Sequence, residues 1–288
     1  MNNRIKLPGR WQRWVFFGGL WLGLVLLFVP AFLVASRREE GTPPSIVLML
    51  FVFALLLVVM VLLFLRKRLL GALTLNGEAV RLINVGRVGE ATTKLSQAIA
   101  AVRLNPTYKV LFIYNLQVVR FRQGALEESV SIMEGMIADG WFDVKALVPS
   151  YPVAVSTVIL GRMLLGDLDA GARWLRIAGE RVPEKLRGVL IPGIVVQQLR
   201  SGKAEEALET IDGRWSEVEL TSSLHGMKVL RILRAFAMQS MELPDHDVEQ
   251  NLACVRPFGK GEFDHLALAW PELRTFLETH DLLSGGRH

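Results

Sequence analysis

Five histidines, His225, His246, His265, His280 and His288, fall in the last quarter of the chain, and two of them sit among carboxylates, in DHD at 245–247 and DHL at 264–266. Imidazole beside carboxylate is the raw material of acid–base catalysis and of metal ligation. The spacing completes neither. No H-E-x-x-H pattern occurs, and no Cys/His pair has ligand spacing. Adjacent residues on a helix do not face each other, so both His–Asp groups read as surface loops. A single cysteine, Cys254, excludes an intramolecular disulfide and a four-cysteine zinc site; within VEQNLACVRPF it reads as a small buried hydrophobe in a helix. A phosphate-cradling P-loop and a G-x-S-x-G nucleophile elbow are both absent from the sequence. Catalytic residues, metal ligands and cofactors are accordingly read as none, and an enzyme is not expected. The alternative kept open is an enzyme subunit using the His-bearing last quarter.

Two patterns, one apolar and one periodic, decide what could position such residues. The chain of 288 residues is 51% hydrophobic with a mean hydropathy of +0.34, and the excess is concentrated in two runs. WVFFGGLWLGLVLLFVPAFLVA (14–35) and IVLMLFVFALLLVVMVLLFL (46–65) carry no charge. About 20 apolar residues at 1.5 Å rise match a hydrocarbon core of about 30 Å, so two membrane spans are expected. The first run exceeds the roughly 7–15 residues of a signal-peptide core. Basic residues flank the pair on its outer ends (Arg4, Lys6, Arg10 and Arg13 before; Arg66, Lys67 and Arg68 after) and outnumber Arg37 and Arg38 of the loop 36–45. That asymmetry is expected to leave both termini in the cytoplasm, and the localisation expected, in line with a resemblance of layout given below, is a bacterial-type inner membrane. Gly19 and Gly23 form one G-x-x-x-G that could seat the first span against a neighbour. Neither run holds an ionisable group, which argues against a transport pathway.

Charge divides the remainder. Residues 66–122 carry a net +8 and residues 123–288 a net −7. Arg66, Lys67 and Arg68 at the start of the basic part suit an anionic lipid surface. Nucleic acid is not expected, because aromatics do not interleave the basic residues and no nucleic-acid fold signature appears.

The periodic pattern lies beyond residue 65. Gly86, Gly124, Gly166 and Gly202 are spaced by 38, 42 and 36 residues, the range of stacked helix pairs. Before each glycine runs an apolar helix; after it comes an amphipathic one. In RSGKAEEALETI the stripe is Ala204, Ala207, Leu208 and Ile211, with Glu205, Glu206 and Glu209 opposite. Glycine stops the first helix by taking a left-handed conformation, and the second folds back against it. Residues 221–257 are read as a fifth, worn pair and WPELRTFLETHDLL as a capping helix with Pro271 in its first turn.

These residues resemble the tetratricopeptide repeat (TPR) family: Ala79, Gly86, Ala91, Leu95 and Ala98 in unit one; Gly124, Met133 and Met136 in unit two, with Ser129 for the first alanine; Gly166, Leu175, Ala178 and Pro183 in unit three, with Gly171 for alanine; Gly202, Ala207 and Ile211 in unit four. The fold expected is all-α, a two-helix transmembrane hairpin followed by a TPR-like helical solenoid. Its parts are a basic N-terminus (1–13), the hairpin (14–65), the repeat domain (66–283) and a flexible tail (284–288). The resemblance implies a groove for a protein partner, lined by Asn76, Val80, Asn84, Tyr114, Asn115, Val118, Arg122, Val196 and Arg200. Val80 and Thr157 stand where the family's clamp for C-terminal carboxylates needs Lys/Arg or Asn, so binding of that style is not expected. The layout also resembles that of a two-span TPR protein of bacterial inner membranes associated with haem biosynthesis, a similarity of arrangement from which no function is carried over. The function expected is a membrane-anchored scaffold or adaptor, with an accessory subunit of a transport or secretion complex as an alternative.

Overall fold

The turn glycines do what their spacing demands. In the computed structural model Gly86, Gly124, Gly166 and Gly202 have φ of 75°, 91°, 85° and 73°. Each closes a helix with the same pair of bonds: Gly86 N–H donates to Ile83 O (3.1 Å) and Arg87 N–H reaches back five residues to Leu82 O (2.9 Å). Gly124/Ala125, Gly166/Asp167 and Gly202/Lys203 repeat the pattern on Phe121/Arg120, Met163/Arg162 and Leu199/Gln198. This is the Schellman arrangement, and only a residue without a Cβ enters it free of strain. The motif recurs twice where no glycine marks it. Glu242 (φ 55°) and Asp281 (φ 54°) are the left-handed residues there, followed by Leu243 N–H to Met238 O and Leu282 N–H to Leu277 O.

The structure describes residues 8, 9, 11, 12, 14, 15, 18, 19, 21–23, 25, 29, 44–102, 105–255 and 261–284. Among them every regular element is helical and no strand occurs. The hairpins are α1 (Pro44–Asn84) with α2 (Val88–Ala101), α3 (Pro106–Arg122) with α4 (Leu126–Ala138), α5 (Tyr151–Leu164) with α6 (Leu168–Arg181), and α7 (Ile191–Arg200) with α8 (Ala204–Gly213). A short α9 (Trp215–Thr221) leads to α10 (Leu224–Ser240) and α11 (Asp245–Ala253), and α12 (Pro271–Thr279) closes the described chain. Helix starts are written locally. Asn105 accepts from Tyr108 N–H ahead of Pro106, Asp167 accepts from Ala170 N–H, and Ser223 accepts from Gly226 N–H.

Packing follows the small residues. Ala79, Ala91, Leu95 and Ala98 are fully buried between α1, α2 and α3, and Met133, Met136, Ala178, Ala207 and Ile211 are fully buried in the main core. Gly161 of α5 lies so close to α3 and α4 that a Cβ would meet Val130 Cγ2 at 2.3 Å and Phe121 Cε2 at 2.9 Å. Glu134 of α4 ties three helices together. It accepts from Arg162 of α5 (Nε 2.9 Å, Nη2 2.5 Å) and from Trp174 Nε1 of α6 (2.9 Å).

The two membrane spans require correction. Among the described residues no helix is long and apolar enough to cross a membrane. Most of 14–35 lies outside the described residues, as do most of 1–13, the loop through residue 43 and the tail at 285–288. The run 46–65 belongs to α1, which continues past it as one helix to Asn84. Arg66, Lys67 and Arg68 follow at once and are exposed. The transmembrane hairpin and the multi-pass inner-membrane placement are thus not supported. The boundary drawn between 65 and 66 also falls inside α1, because no proline interrupts the helix between Pro44 and Asn84. Gly18, Gly19 and Gly23 have no neighbour against the space a Cβ would fill.

Candidate functional site

The first helices of successive hairpins share one cleft. A cavity of about 180 Å³ is bounded by α3 (Val118, Phe121, Arg122), α5 (Val153, Ser156, Thr157, Leu160), Pro192 of α7, the α9–α10 junction with His225 and Val229 of α10, and His265 of the C-terminal segment. Its side walls are apolar. Five hydroxyls rim it, those of Ser156, Thr157, Thr221, Ser222 and Ser223. Four are bonded to backbone: Ser156 donates to Val189 O, Thr157 to Val153 O and Thr221 to Glu217 O, while Ser223 accepts from Gly226 N–H.

One end of the cleft is ionisable. Glu262 enters from the C-terminal segment with only 3% of its side chain exposed, and its carboxylate meets His225 Nδ1 at 3.0 Å and Lys228 Nζ at 3.3 Å. His225 stacks on Phe263 (centroids 5.9 Å, 14°) and lies 5.5 Å from the His265 ring, which meets Phe121 edge-on at 5.6 Å. Burial holds His225 below the usual imidazole value; the Glu262 bond opposes this and the Arg122 charge adds to it. Burial pushes His265 well below that value, helped by His225 and Arg122. Both rings are therefore neutral at pH 7, and His265 Nδ1 is buried without a hydrogen-bond partner. Arg122 is lowered to about 10 by burial, against the pull of Glu262, and keeps its charge.

The nine groove positions divide three ways. Tyr114 is 5% exposed, packed edge-on against Phe142 at 5.8 Å, and Val196 is fully buried; both belong to the core, because each points back into the contact between neighbouring hairpins. Four polar positions stitch units together. Asn115 Nδ2 donates to Asn76 Oδ1 (2.7 Å) across α3 and α1, Arg122 donates to Ile83 O (2.7 Å), and Arg200 donates to Leu164 O (2.6 Å). Val118 and Arg122 line the cleft, while Val80 and Asn84 are exposed on α1.

Arg200 also donates to Ala269 O (2.6 Å), with its guanidinium 4.7 Å above the Trp270 ring. The face expected to await a partner at this end is covered by the chain's own C-terminal segment. Leu268 packs on Gly124 as well.

Other expectations shift in the same way. DHL at 264–266 is no surface loop at its centre, since His265 is 1% exposed within a short 3-10 turn. His246 stays on the surface in the first turn of α11. Cys254 is exposed, because α11 ends just before it. His280 is held by Glu249 (3.0 Å) and Gln239 (3.3 Å). Among the described residues no group of three His, Cys, Asp or Glu is arranged to hold a metal ion. Sequence reasoning missed Glu262 and Lys228 because nothing local distinguishes them; only the fold brings residues 34 apart into one buried pair.

Comparison with known protein families, curated proteins and solved structures returns no match.

Proposed function

We propose that this chain is a TPR-like helical-repeat scaffold that holds a protein partner by a short apolar segment inserted into the cleft between α3, α5, α7 and α10. The observation that carries the reading is the joint construction of the cleft by the first helices of four hairpins, the helices that line the groove in the resemblance drawn above. Its size is informative. About 180 Å³ is room for roughly six waters at about 30 Å³ each, below the roughly 300–1,000 Å³ usual for small-molecule sites. One or two side chains of a peptide fit. Val153 of the lining is 45% exposed, and Leu220 and Leu224, next in sequence to the lining residues 221–223, are exposed at 87% and 58%. Such apolar exposure suits a macromolecular partner.

The test is a Val153→Arg substitution, which blocks the mouth from an already exposed position. Partners captured by the wild-type chain and identified by mass spectrometry should be recovered at least tenfold less, about 1.4 kcal/mol, with helicity unchanged. Undiminished recovery from a folded variant overturns the cleft as the partner site.

A further inference from the structure

We propose that Gly261–Leu268 is an acid-released latch that forms one wall of the cleft and is fastened there by the buried junction of Glu262 and His265 with His225, Lys228 and Arg122. The inference takes the cleft as the partner site for its consequence, because His265 is both part of the latch and part of the cleft lining.

The fastening is electrostatic at one spot and apolar around it. Glu262 faces His225 and Lys228 from α10 and feels Arg122 from α3. Asp264 turns away, accepting from the N–H and hydroxyl of Ser284. From α5 and α7 no titratable group reaches the cleft lining. Phe263 and Leu266 are buried and favour closure. With both imidazoles neutral, the described cations beside the carboxylate are Lys228 and Arg122. Protonating both rings, 5.5 Å apart, would add two like charges to one buried site.

The mechanics are local. Gly261, at φ 79°, starts the segment with backbone freedom that other residues lack. Beyond the segment, Arg200 grips Ala269 O and Trp270 and keeps the chain attached when the latch lifts. Lifting it uncovers His225, which loses Glu262, Phe263 and His265 together. Both rings then reach water and bind protons near their ordinary value of about 6.5. At pH 5.5 each ring freed in this way favours the open form by at most about 11-fold, and the two together by at most about 100-fold, whereas at pH 7.5 each contributes no more than about 1.1-fold.

The experiment is native-state hydrogen exchange on the full chain between pH 7.5 and 5.5, corrected for the intrinsic pH dependence of amide exchange. Amides of 263–268 should lose protection as pH falls, by up to about 100-fold and with a slope between zero and two protons per opening, while those of α6 keep theirs. His225→Gln and His265→Gln should each reduce the loss, to no more than about tenfold, and lower the slope. Protection independent of pH, or a slope unchanged in a folded single variant, overturns the latch. If a variant does not fold, the wild-type slope decides alone. No partner enters this assay, so its failure leaves the Val153→Arg result standing, and failure of that result leaves the latch standing.

Discussion

Arg122 and Arg200 stand two residues before their turn glycines, and both use a guanidinium N–H on the last turn of the preceding hairpin's first helix. Those carbonyls lie in the last helical turn, beyond which i+4 donors run out; Ile83 O accepts from Gly86 N–H as well, and a cation at a helix C-terminus is favourable. Read in sequence, the same arginines looked like groove residues; in the fold they are joints. Arg122→Met and Arg200→Met should each cost about 1.5–3 kcal/mol in urea unfolding, the range for bonds to charged groups. Glu134→Ala should cost a similar amount, since it strands Arg162 and Trp174 together. Glu242 offers the opposite sign. It holds a left-handed conformation that disfavours a Cβ, so Glu242→Gly should stabilise by about 0.5–1 kcal/mol, measured by the same titration.

At the scale of helices, close approach governs. A methyl at Gly161 would overlap Val130 and Phe121, so Gly161→Ala should destabilise by about 1–3 kcal/mol despite alanine's better helix propensity. A thermal melt against Gly179→Ala, where a Cβ meets nothing, separates packing from propensity. The elements were the most legible part of the sequence. Four glycines and the stripes behind them, such as Ala207 and Ile211, are local signals of turn and face, and both appear in place. The turn at Glu242 was unreadable because no glycine marks it. The site was less legible still. His225 and Glu262 lie 37 residues apart with no motif between them, and the burial of His265 depends on a return of the chain that no periodicity announces.

For the molecule as a whole, two consequences follow from burial and exposure. His225 and His265 are lowered in the folded state, so the unfolded chain binds more protons below about pH 6.5. Stability is complete above that value and falls as pH drops through it, by up to about 1.4 kcal/mol per unit for each ring. Urea midpoints at pH 7.5, 6.5 and 5.5 check the trend, and His265→Phe should flatten it. Helix α1 presents the reverse situation. Met49, Phe53, Met60 and Phe64 are 75%, 66%, 67% and 58% exposed, an apolar surface too large to stay in contact with water unaccompanied. In aqueous buffer the full chain should self-associate and bind an apolar dye, and Phe53→Glu/Met60→Glu should weaken both, as read by sedimentation and fluorescence.

The arginine joints carry a corollary for how such an array is assembled. A hairpin whose carbonyls are capped by its successor is unfinished until that successor is in place, so order must spread from neighbour to neighbour along the chain. Excising one unit would therefore leave two wounds: an open helix end upstream and a guanidinium with nothing to grip downstream.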